Sequence, residues 1–160
     1  FFFIILITHQ MSFIMQLYYA DENSINSPVP GQEGIVDWLL KNAKCLGEIE
    51  FETGECFTFF RALYLLCEKD LLPLIGGSVH DPPTEDEYCC GSVNKQILQD
   101  AVNKLHEQMQ SADPGEELQP CSHYLQSQGV SDEWFQQVLR GFLGMINSVP
   151  EEGTILGLFE

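Results

Sequence analysis

Residues 1–20, FFFIILITHQMSFIMQLYYA, constrain this chain more than any other stretch. The segment opens on seven large apolar residues, and the first cation in the chain is Lys41. A segment this apolar has to be covered by the protein's own core, by a partner or by lipid. Its length approaches the ~20 residues of a helical membrane span. Thr8, His9, Gln10 and Gln16 interrupt it, however, and it has no basic flank. Burial in the fold or in an assembly is therefore the first expectation for residues 1–20, and membrane association the second. The Phe, Ile and Tyr content suits a strand, whereas residues 13–17 also fit a helix.

Residues 21–34, DENSINSPVPGQEG, read as a polar linker with two prolines and two glycines. The expected organisation is thus a hydrophobic terminal segment over 1–20, a linker over 21–34 and a predominantly helical globular domain over 35–160. A chain of 160 residues is long enough for one substantial core. The expected fold class is mainly α, a compact helical bundle or irregular helical domain with a small extended element near 48–52.

The helical pattern is clearest at 93–110, where Val93, Ile97, Leu98, Ala101, Val102, Leu105 and Met109 trace one stripe. Ser92 is expected to cap it, and Asp100 and Lys104 to pair at i,i+4. A second strong helix follows Ser131, an N-cap candidate with Asp132 and Glu133 in the first turn and Trp134, Phe135, Val138, Leu139, Phe142 and Ile146 on its apolar face. Residues 55–68 form a nearly all-round apolar helix with Thr53 as its expected cap, and shorter helices are expected at 35–42 and 118–127. Pro73 and Gly76-Gly77 break the pattern after Asp70, and 78–91 read as a long acidic loop. Glu48-Ile49-Glu50-Phe51-Glu52 alternates with period two, as a half-exposed strand does.

There are 24 acidic side chains against 7 basic ones, a formal charge of −17. This field disfavours direct contact with nucleic acid and suits a solvated surface or a basic protein partner. The acids of 81–87 lack the spacing of an EF-hand loop, and His80, Cys89, Cys90, His106, Cys121 and His123 lack CxxC pairs, so no metal and no cofactor is expected. Neither a G-x-S-x-G elbow nor a phosphate-binding glycine loop is present, which favours a non-catalytic chain over an enzyme. Six cysteines permit either reduced thiols or disulfides. Reduced thiols are the favoured reading, and with them an intracellular setting over a secreted or organellar one.

The function expected from these features is a protein-interaction or structural module, a subunit or fragment of a larger assembly with a protein partner. Phe1, Phe2, Phe3, Ile4, Ile5 and Phe13 near one end and Ile155, Leu156, Leu158 and Phe159 near the other are the expected partner-binding residues. Truncating the ends is then expected to weaken assembly more than the central fold. One alternative is a disulfide-stapled protein that binds an apolar ligand among Trp38, Phe59, Phe60, Leu63, Trp134 and Phe142. The other is an enzyme with a noncontiguous Cys/His site, which requires a low-pKa thiolate near a histidine.

Overall fold

A computed structural model describes residues 12–21, 34–83, 89–93, 95–111, 121–149 and 154–159. The fold is predominantly helical with a modest sheet, and its strands lie at Ser12–Ala20 (β1), Lys44–Glu52 (β2), Cys89–Val93 (β3) and Thr154–Phe159 (β4). Helices span Ile35–Asn42 (α1), Glu55–Cys67 (α2), Lys95–Ser111 (α3), Cys121–Ser127 (α4) and Asp132–Asn147 (α5). The sheet order is β2-β1-β4-β3, and every pairing is antiparallel.

The period-two geometry of β1 sends alternate side chains to opposite faces. Phe13, Met15 and Leu17 enter the main core with Phe51, Ile155 and Phe159, beneath α2, α3, α4 and α5. Tyr18 and Ala20 point the other way and join Leu156 and Leu158 under Ile35, Trp38 and Leu39 of α1. Among the described residues, helices thus cover the inner face of the sheet, and α1 covers part of the outer one.

This placement corrects the expectation of membrane contact through residues 1–20. No helix among the described residues is long and apolar enough to cross a membrane. Residues 12–20 instead form an internal strand whose apolar side chains are covered by the chain's own helices. Residues 1–11, including Phe1, Phe2, Phe3, Ile4 and Ile5, lie outside the described residues, as does most of the 21–34 linker.

The sheet extends well beyond the element expected near 48–52. Ser92 is not a helix cap: it pairs with Leu156 inside β3, and α3 begins only at Lys95. β3 also occupies the last part of what reads as a loop. The N-cap of α2 falls one residue after the expected Thr53, at Gly54, in the left-handed conformation that glycine adopts without a Cβ penalty. Lys104 reaches Glu68 at the end of α2, while Asp100 accepts a hydrogen bond from Gln96 Nε2 at 2.9 Å. Ser131 does cap α5, its hydroxyl accepting from the Trp134 N–H at 3.1 Å.

Between α2 and β3 a 3-10 turn at Leu72–Ile75 lies against the sheet, with Pro73 at its start, where a missing N–H costs little. The Asp70 carboxylate fixes this turn, accepting from the Leu72 and Val79 N–H groups at 3.0 Å each. Close approach is possible because Gly91 and Gly157 face each other across β3 and β4. A Cβ at Gly157 would strike the Leu74 carbonyl oxygen, and one at Gly91 the Pro73 carbonyl oxygen.

Candidate interaction surface

Among the described residues, the outer face of the sheet is covered at one end only, by α1. Register places Ser12 beside Glu52, Ile14 beside Glu50 and Gln16 beside Glu48, and Gln16, which also pairs with Leu158, marks the boundary of the patch that α1 covers. Ser12 and the three glutamates are exposed, and Ile14 keeps 39% of its surface in contact with water. Gln16 is half-buried, and its Oε1 accepts from the Tyr18 hydroxyl at 2.8 Å. Along β2 the alternation is direct: Glu48, Glu50 and Glu52 face outward while Ile49 and Phe51 pack inward. On the outward side of α1, Val36 and Leu40 are also exposed, Leu40 at 72%.

β2 is an edge strand, paired with β1 alone among the described strands. Opposite Leu17 and Tyr18 its register slips by one residue, leaving Leu46 without a partner in the ladder. At nine residues β2 is much longer than β3, the five-residue strand at the other edge. Charged side chains on such an edge discourage indiscriminate strand pairing.

The expected partner-binding residues are placed differently. Phe13 stacks on Phe159, with ring centroids 5.5 Å apart, and both are buried. Ile155, Leu156 and Leu158 are buried in β4. Their side chains are packed within the fold. The sequence could not separate these outcomes, because an apolar strand looks the same whether its cover is its own helices or a partner.

Of the residues weighed for an apolar-ligand cavity, Trp38 stands apart from the other five. Trp38 lies on the outer side of the sheet, whereas Phe59, Phe60, Leu63 and Phe142 belong to the inner core and Trp134 packs at its margin. Phe59, Phe60 and Phe142 lie in mutual ring contact at 5.4–6.2 Å. Cys45 is exposed, whereas Cys56, Cys67 and Cys121 are buried.

Two of the buried thiols are shifted away from the thiolate form. Burial pushes the Cys67 thiol up from its ordinary value. Burial, with the nearby Asp132 charge adding to it, raises Cys121 to about 11. Both shifts run against thiolate formation, whereas a nucleophilic cysteine needs a depressed value. His80 stands edge-on to Tyr64 at 6.0 Å, and His106 and His123 are exposed. Among the described residues, no three His, Cys, Asp or Glu side chains are grouped to hold a metal ion.

One contact that sequence reasoning missed is Arg61 over the Tyr124 ring, 5.7 Å from its centroid, with Nη1 donating to the Val79 carbonyl at 3.4 Å. It ties α2 to α4 and to the 78–81 turn. No local pattern announces it, because the partners are distant in sequence. No family model, curated protein or solved structure matches this chain.

The buried thiol predicts a pH response. Because Cys121 holds its proton more tightly folded than unfolded, the unfolded chain binds fewer protons once pH passes about 9, and stability falls from there to about 11. The expected loss is on the order of 2–3 kcal/mol from this group. Urea unfolding at pH 8 and pH 11 should show a smaller alkaline loss in Cys121→Ala than in the wild type. An equal loss in both proteins would assign the effect elsewhere.

Proposed function

We propose that this chain is a non-catalytic protein-interaction module that docks through the open half of the outer sheet face and the adjoining edge of β2. The observation that carries this reading is the exposed strip formed by Ile14 and the β2 glutamates, beside a half of the same face that α1 already covers. An apolar contact ringed by charge is the usual composition of a docking patch. The charge of −17 supports a basic partner, since complementary fields speed encounter and suppress wrong partners.

The test is quantitative recovery of a stoichiometric complex from the native source by the full chain, compared with Ile14→Arg. The variant is expected to lose the partner at least tenfold while its thermal unfolding and circular dichroism stay close to wild type. Undiminished recovery by a folded Ile14→Arg protein would place the contact elsewhere.

A further inference from the structure

Resting on that reading, we infer that the occupant is an extended Lys/Arg-bearing segment of another protein, added to the sheet as a fifth strand along β2. Among the described residues no strand pairs with β2 on the side away from β1; the Glu52 N–H donates to Glu55 Oε2 at 3.3 Å, so the row offered to an added strand stops short of Glu52. Such a row of donors and acceptors is a template for strand addition, with alternate side chains setting specificity. The alternation of β2 fixes what the added strand must look like. Positions level with Glu48, Glu50 and Glu52 on the outer face call for cations, and those between them, level with Ile49 and Phe51, call for apolar side chains.

The same charges argue against a second copy of this chain as the occupant. A twofold antiparallel pairing of β2 with itself sets its outer-face glutamates opposite one another, and like charges directly across a ladder are destabilising. β3 is a poorer site because its five residues offer little more than half the ladder of β2's nine.

The probe is a blocked heptapeptide alternating Lys and Val, titrated into the full chain and followed by amide hydrogen exchange. Slowed exchange of amides within 44–52, and binding weakened at least tenfold by the combined Glu48→Gln, Glu50→Gln and Glu52→Gln substitutions, are the expected results. A peptide of the same charge with Pro in place of the central Val should also bind at least tenfold more weakly, since it cannot complete a strand ladder. Equal binding of the two peptides would reduce the effect to diffuse charge attraction and overturn strand addition. A wild-type dimer with slowed exchange in β2 would overturn it in favour of a second copy. No peptide protection, combined with partner loss in Ile14→Arg, would reject the fifth strand while leaving the docking face intact. Failure of both would remove the two readings together.

Discussion

Deleting residues 154–160 is expected to unfold the domain. β4 is an internal strand, paired with β1 from Thr154 to Phe159 and with β3 from Ile155 to Phe159. Its loss would strip β3 of its strand partner and open one side of β1. Ile155, Leu156, Leu158 and Phe159 are each at most 4% exposed. Burial of side chains of this size is worth roughly 1.5–3 kcal/mol apiece, so the four together rival the ~5–15 kcal/mol that holds a typical domain folded. Circular dichroism and proton NMR of the shortened chain should show no cooperative transition and collapsed methyl dispersion. A well-folded truncated protein, less stable by under ~2 kcal/mol, would contradict this assignment of β4. This outcome would replace the expectation that trimming the apolar ends spares the central fold.

Phe59→Ala is expected to be the most damaging of the single core truncations, at about 3–5 kcal/mol. Phe59 is fully buried on α2, and its ring lies 5.4 Å from Phe60, 5.5 Å from Phe142, 5.7 Å from Phe135 and 6.0 Å from Phe51. One side chain thus joins α2 to α5 and to β2. Truncation leaves a void lined by rings that cannot all move inward, so the lost contacts are only partly recovered. Leu40→Ala provides the contrast, because Leu40 is 72% exposed and should change stability by no more than ~0.5 kcal/mol. Urea midpoints of the two variants measure the difference directly. Similar small losses in both would mean that the Phe59 site relaxes and closes.

The elements legible in the sequence are those whose environment differs sharply between faces. α3 and α5 show a single apolar stripe, and Ser131 marks the start of α5 with a side chain suited to capping. β2 was visible for the same reason, since one face is acidic and the other packs inward. β4 gave no alternation because it is buried on both faces: Ile155 and Phe159 serve the inner core while Leu156 and Leu158 lie under α1. β3, CCGSV, has few strand-forming residues, and its place depends on Gly91 meeting Gly157 beneath the 3-10 turn. That dependence is long-range and leaves no local trace. Of the candidate surface, the glutamate alternation could be read, but the edge position of β2 could not, because strand order follows from pairings remote in sequence.

The neighbouring positions of β1 and β4 also dictate an order of events during folding. Met15 meets Phe159 across about 140 intervening positions, whereas the β1–β2 pairing closes a far shorter loop. Closing the longer loop costs only about 0.6 kcal/mol more for each doubling of length, so the topology penalises speed more than final stability. The β1–β2 pair, with α1 in its connection, is expected to form early and wait for β4. Until that strand arrives, β1 presents an open apolar flank. The nascent fold is therefore most vulnerable to aggregation along a line that the finished protein keeps wholly hidden.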